Sequence, residues 1–160
     1  MAKSVPMVRA MALAPAVRWL ISKGRKPDAL LREVGLHSAA FGDPLRPISL
    51  FKAAALLKAI ADDEGPDVPY RIVSEANLIE LAMIGKVALG TTTPAETMMR
   101  ISTALPLFCT HENVSVLRSG DQIVVRHTYL VRFEPETEHL MLQYAVAMAD
   151  RICQMTETPG

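Results

Sequence analysis

Two short stretches of this 160-residue chain have spacings used in catalysis, and each lacks a partner that the chemistry needs. His111-Glu112 begins like the His-Glu-x-x-His helix of zinc proteases, in which two imidazoles one turn apart bind the metal. Ser115 stands where the second histidine is required. Gly85 and Gly90 have the spacing of a phosphate-binding loop, but Thr91 stands where the lysine is needed and no predicted strand precedes the segment. The sequence therefore argues against both chemistries.

No other catalytic or cofactor pattern is present. The chain has neither the glycine fingerprint of dinucleotide binding nor the Gly-x-Ser-x-Gly elbow of serine hydrolases. Its four histidines are scattered over four predicted elements, and its two cysteines share no metal-ligand or redox spacing. No nucleophile, base and orienting group can be assembled from these residues. We predict a protein that is not an enzyme, with no catalytic residues, no metal and no cofactor.

One segment near residue 127 carries side chains that suit ligand binding. His127 lies between Val125 and Tyr129 on one face of a predicted strand, where it is either a core or interface histidine or a ligand contact. Arg126 and Arg132 lie on the other face, where they either are solvated or bind the carboxylate of a ligand. The candidate ligand-binding residues are Arg126, His127, Tyr129 and Arg132.

The composition is that of a folded domain. Half of the residues are apolar, 21% are charged and the mean hydropathy is +0.21, which excludes a disordered chain of high net charge. Two isolated cysteines, expected to be buried thiols, indicate a reducing compartment, so we expect a cytoplasmic protein. No signal peptide and no apolar run long enough to span a bilayer is present, so we expect no membrane partner.

Charge is distributed unevenly along the chain although the net charge is zero. Residues 1–60 hold ten basic and three acidic side chains, a balance of +7, and the remaining residues hold seven and fourteen, a balance of −7. Clustered lysine and arginine are typical of nucleic-acid binding, here through the basic N-terminal third. The alternative is that the two halves face each other or a neighbouring domain.

Apolar residues recur at helical spacing in six segments, and two of the helix starts have capping signals. Ser49 is a predicted N-cap, and Thr93 with Glu96 forms a predicted capping box. We predict that residues 37–47 are a loop and that the acidic run 62–66 is a solvated turn, because acids oppose the dipole at a helix C-terminus. The predicted helices begin at Pro15, Pro27, Leu50, Val68, Pro94 and after Pro135.

The recurrence of apolar residues changes to every second position in a predicted hairpin. Its strands are 114–116 and 123–131, and its turn is at 119–121. The mixed face of the second strand, which contains Val124, Arg126 and Thr128, suggests partial exposure or a cavity wall. A two-stranded hairpin must pack on other elements to be stable. We therefore predict one domain over 1–160 of the mostly helical α+β class, with about five to six helices packed on a small antiparallel hairpin or sheet.

The last predicted helix carries a long apolar stripe. This stripe is either the seam of a dimer or the cover of the hairpin, and one helix face cannot do both fully. Nine methionines, several of them on this helix, are compatible with an effector pocket or an adaptable interface as well as with ordinary core packing. The candidate dimerisation residues are Met141, Tyr144, Met148 and Ile152.

Three stretches give the chain a family resemblance: 30–36 (LLREVGL), 48–50 (ISL) after a proline-bearing loop, and 89–99 (LGTTTPAETMM) before a helix and hairpin. Over roughly residues 25–155 the chain resembles the N-terminal domain of AraC-type transcriptional regulators, in the arabinose-binding subgroup typified by ornithine-utilisation regulators. The resemblance lies in scaffold positions and implies no functional residue. It implies a bacterial effector-sensing and dimerisation domain, here a fragment without the C-terminal helix-turn-helix domain that would contact DNA.

These observations give a leading hypothesis and two alternatives. The leading hypothesis is a non-catalytic module of a bacterial transcription regulator that binds a small organic effector and forms a homodimer. The first alternative is a module that dimerises without any ligand. The second is direct binding of nucleic acid through the basic N-terminal third.

Overall fold

The structure combines helices with two small antiparallel sheets, so the mostly helical α+β class predicted from the sequence is confirmed. The computed structural model describes residues 4–76, 81 and 86–157. The sequence-predicted helical positions 78, 79, 82 and 84, and Gly85, lie outside the described residues. The described strands and α-helices are β1 (Met7–Arg9), α1 (Ala14–Ser22), α2 (Pro27–Glu33), β2 (Pro47–Ser49), α3 (Leu50–Glu64), α4 (Val68–Glu75), α5 (Pro94–Ala104), β3 (Glu112–Ser119), β4 (Gln122–Tyr129) and α6 (Pro135–Glu157).

The first sheet was not predicted from the sequence. β1 and β2 pair antiparallel with Val8 opposite Ile48, at the end of the segment that we had predicted to be a loop. On its other side, β1 meets the chain just before β3, where the Arg9 amide donates to the Phe108 carbonyl at 2.9 Å. The loop prediction also missed a short 3-10 helix at Ser38–Gly42. β1 thereby connects the N-terminal segment to the start of the hairpin.

α3 begins as predicted and ends later than predicted. The Ser49 hydroxyl accepts the amide of Lys52 at 3.4 Å, which confirms the N-cap. The prediction of a turn from residue 62 was wrong, because the helix continues through Glu64. The guanidinium of Arg25 donates to Asp63 at 2.6 Å and to Glu64 at 3.0 Å, and this cation offsets the unfavourable interaction of the acids with the helix dipole.

Ion pairs join the basic and acidic parts of the chain. Besides the Arg25 pairs, Lys23 lies 3.1 Å from Glu75, and Lys58 lies beside Asp62 and 3.6 Å from Glu136. These exposed pairs contribute little stability individually. They favour the interpretation in which the two halves of the chain face each other.

The capping box of α5 is present with a shifted partner. The Thr93 hydroxyl accepts the amide of Glu96 at 3.2 Å, as predicted. The Glu96 carboxylate accepts a hydrogen bond from the amide of Thr92 at 3.0 Å, so its partner is one residue before the N-cap. The helix ends at Ala104, where a 3-10 turn containing Pro106 follows.

The hairpin positions the candidate site. Gly120 and Asp121 form a two-residue turn, and Gly120 has a φ of 65°, which glycine adopts without strain. The resulting register places Glu112 opposite Tyr129 and Val114 opposite His127. β3 begins two residues before the predicted strand, and β4 ends two residues before the predicted end.

Candidate ligand-binding cavity

A cavity of about 340 Å³ lies between the hairpin, β1 and helices α3, α5 and α6. This volume is within the range of small-molecule sites. Most of the described residues that line it are apolar. Six carry a polar or ionisable group: Arg9, Cys109, Glu112, His127, Tyr129 and Tyr144. Four methionines contribute flexible thioethers that adapt to the shape of a guest: Met11, Met98, Met141 and Met148.

Side chains reach the cavity wall because they alternate between the two faces of a strand and recur every three or four residues on one face of a helix. On β4, Val125, His127 and Tyr129 lie two residues apart and point to the same side of the sheet, toward the cavity. On α6, residues three and four apart share one face, which brings Met141 and Met148 to the opposite wall. The exposed side of β4 is the mixed face, so of the two alternatives for that face the partial exposure is confirmed.

A hydrogen-bonded pair of ionisable side chains, Glu112 and His127, lies within this apolar wall. Glu112 Oε1 is 2.5 Å from His127 Nε2, and the two side chains are only 16% and 13% exposed. The hairpin register makes them diagonal neighbours on one sheet face, a separation that long side chains span. The Nδ1 atom of His127 is buried and has no hydrogen-bond partner within the described part of the chain. Buried ionisable groups of this kind in a cleft are candidates for function.

Two tyrosines contribute hydroxyl groups that are already engaged. The Tyr129 hydroxyl donates to the Met141 carbonyl at 3.4 Å, and its ring contacts the His127 ring edge-on at 4.8 Å between centroids. The Tyr144 hydroxyl donates to the Ala12 carbonyl at 2.8 Å. Burial raises the pKa of both phenols, so both stay protonated and neutral.

Cys109 is also part of the lining, and its thiol is expected to be unreactive. Burial, with the nearby Glu112 carboxylate as a smaller cause, raises its pKa to about 12. The thiolate is the reactive form, so this cysteine is not activated as a nucleophile. The expectation of two buried thiols is right for Cys109 and wrong for Cys153, which is half-buried on α6 near the C-terminal end.

Of the four predicted ligand-binding residues, the structure brings two to the cavity. His127 and Tyr129 line it. Arg126 and Arg132 are exposed, and neither is among the described residues of the lining. Two further parts of the lining were not predicted from the sequence: Glu112, the partner of His127, and the N-terminal segment around Met11.

The four predicted dimerisation residues are buried inside the chain. Met141, Tyr144, Met148 and Ile152 all line the cavity, and α6 packs against α3, α4 and α5. The stripe therefore lies across the cavity from the hairpin, and it has little exposed surface to present to a second copy. Its role in dimerisation stays a prediction.

Comparisons with known proteins add no family to this description. Neither a protein-family model nor a curated protein matches the chain. Among residues 4–76, 81 and 86–157, no three histidine, cysteine or acidic side chains are grouped so that they could hold a metal ion. In the same part of the chain, no helix combines the length and the apolar character needed to cross a membrane.

Proposed function

We propose that this chain is the effector-sensing module of a bacterial transcription regulator of the AraC type and that it performs no chemistry of its own. The observation that carries the proposal is the cavity, whose apolar wall contains one partly buried hydrogen-bonded pair, Glu112 with His127. A pocket of this volume with a few polar groups is the usual form of a small-molecule site. The resemblance of residues 25–155 to the N-terminal domain of these regulators supports the same assignment.

The position of the cavity suggests how binding is transmitted. A guest would contact the hairpin, β1 and α6 at once, because all three contribute to the lining. Binding then favours the packing of these elements that fits the guest, which is a shift of a pre-existing population. In a full-length regulator, this shift would change the placement of attached DNA-binding units.

Thermal melting with a panel of small molecules tests the proposal. A ligand specific to the folded state at a hundred times its Kd stabilises by about 2.7 kcal/mol. The panel contains amino acids, sugars and alkyl compounds. We expect at least one class to raise the Tm of the chain, and no shift with any class would contradict the proposal.

A cavity-filling variant shows whether a shift comes from this site. Ala149 lines the cavity from α6, and Ala149→Leu adds volume inside it. Ala29 is exposed on α2, so Ala29→Leu makes the same chemical change away from the cavity. We expect Ala149→Leu to abolish the ligand-induced shift and Ala29→Leu to retain it.

Self-association is the second proposed activity. Leu117 and Val124 lie directly opposite each other on the outer face of the hairpin, and each is 50% exposed. Adjacent exposed apolar side chains favour contact with a partner surface. We expect sedimentation velocity to detect a dimer that is weakened in Leu117→Ser with Val124→Ser. A chain that is monomeric at every accessible concentration would contradict this.

A further inference from the structure

The charges and hydrogen-bonding groups of the cavity narrow the chemistry of its ligand. We infer that the cavity binds an uncharged, mainly apolar molecule of about a dozen non-hydrogen atoms whose single polar group is a hydroxyl that donates to Glu112. This inference rests on the proposed effector-binding function. It separates alkyl or aryl alcohols from the sugars, amino acids and fatty acids that could also act as effectors.

The size of the cavity sets the size of the guest. A volume of about 340 Å³ equals that of about eleven water molecules at about 30 Å³ each. The apolar lining cannot replace the hydrogen bonds that a sugar makes with water at several hydroxyls. A guest with one polar group loses far less on entering the cavity.

The charges of the lining disfavour an ionic guest. The carboxyl group of Glu112 contacts His127 Nε2, and the guanidinium of Arg9, which also lines the cavity, donates to the carbonyls of Leu45 and Leu107. A carboxylate ligand at the hairpin would add a negative charge beside Glu112, and the guanidinium of Arg9 that could pair with it is already held by two carbonyls. An alkylammonium would add a second positive charge to a lining that already contains Arg9. Both ionic forms therefore bind less tightly than a neutral alcohol of the same length.

The hydrogen-bonding capacity that remains lies with Glu112 and with the Nδ1 of His127, which has no partner among the described residues. Both tyrosine hydroxyls already donate to backbone carbonyls. The carboxyl group of Glu112 receives one contact from His127 and has further lone pairs to offer. Whichever partner holds the shared proton, one Glu112 oxygen can still accept. A ligand hydroxyl is a neutral group that donates to this oxygen and still has lone pairs to accept from the Nδ1 hydrogen of His127.

Three probes that differ only in their head group test the inference: 1-decanol, decanoate and decylammonium. Isothermal titration calorimetry near neutral pH gives the Kd of each with the full chain. We expect 1-decanol to bind at least about tenfold more tightly than either ion. This comparison uses the unaltered protein, so it decides the question even if a variant fails to fold.

A variant then shows whether Glu112 is the cause. In Glu112→Gln the negative charge is removed, and we expect the preference for 1-decanol over decanoate to fall at least about threefold. Glu138 is exposed in the first turn of α6, and Glu138→Gln is expected to leave the preference unchanged.

The outcomes separate this inference from the proposed function. Decanoate or decylammonium binding as tightly as 1-decanol would overturn the inference and leave effector binding standing. Binding of a sugar or amino acid, with no binding of 1-decanol, would do the same. Failure of every compound in the panel to bind would contradict the proposed function itself.

Discussion

The hydroxyl of Tyr144 donates a 2.8 Å hydrogen bond to the carbonyl of Ala12, which lies 132 residues earlier in the chain. This bond connects α6 to the segment between β1 and α1, on two sides of the cavity. Both residues belong to the lining. The bond satisfies a buried backbone acceptor and fixes the distance between two walls of the site.

Tyr144→Phe tests the contribution of this bond. The substitution leaves the carbonyl of Ala12 without its donor, and we expect the free energy of unfolding to fall by about 1–2 kcal/mol. Urea denaturation measures this change. Tyr70→Phe, at an exposed tyrosine of α4, serves as the control and is expected to change the value by less than about 0.5 kcal/mol. Equal effects of the two variants would contradict the assignment.

Ile152→Ala tests whether the apolar stripe of α6 is an internal core or a dimer seam. Ile152 is 1% exposed, so we expect the free energy of unfolding to fall by about 2–5 kcal/mol. The response of the unfolding midpoint to protein concentration is expected to be the same in Ile152→Ala as in the native chain, because the contacts of Ile152 are within one chain. A midpoint that rises with concentration in the native chain, and no longer does so in Ile152→Ala, would show instead that the stripe joins two copies.

The reactivity of Cys109 tests the burial of the cavity wall. With a pKa near 12, only about one in ten thousand Cys109 thiols is ionised near pH 8. We expect iodoacetamide to modify Cys109 of a Cys153→Ser variant very slowly in the folded state and rapidly in denaturant. Mass spectrometry of the labelled chain measures both rates, and similar rates would contradict the environment described.

Glu96 gives a prediction for acid pH. The amide of Thr92 donates to its carboxylate and Arg100 lies beside it, and these contacts hold the pKa of Glu96 below its ordinary value. The stabilisation is therefore present above the ordinary pKa of glutamate and is lost as the pH falls through the lowered value. We expect Glu96→Gln to flatten the dependence of unfolding free energy on pH in this acid range. An unchanged slope, compared with Glu33→Gln on α2, would contradict it.

Local signals in the sequence were sufficient to predict where several of the helices begin. Ser49 and Thr93 are N-caps in the structure because their hydroxyls bond to amides three residues later, an arrangement that depends on neighbouring residues alone. β1 and β2 have three residues each, which is too short to show the alternation of apolar and polar residues that predicts a strand. They are held by partners far along the chain, such as the Phe108 carbonyl, and no local pattern predicts such pairing.

Half of the central hydrogen-bonded pair was recognisable in the sequence. His127 was identified by its place on an apolar strand face, whereas β3 was predicted to begin at Val114 and so excluded Glu112. Extending β3 by two residues and applying the register of a two-residue turn would have placed Glu112 beside His127. The cavity itself has no such signal, because its apolar lining has the same sequence pattern as a filled core.

Methionine-methyl NMR tests the central claim, that the cavity binds a small apolar molecule, most directly. Met11, Met98, Met141 and Met148 line the cavity, while Met99 is half-exposed on α5 and is not among the described lining residues. On titration with 1-decanol, we expect the four cavity methyl signals to shift together along one saturable curve and the Met99 signal to stay in place. Saturable shifts confined to Met99, or no saturable shift at any of the four, would contradict the claim.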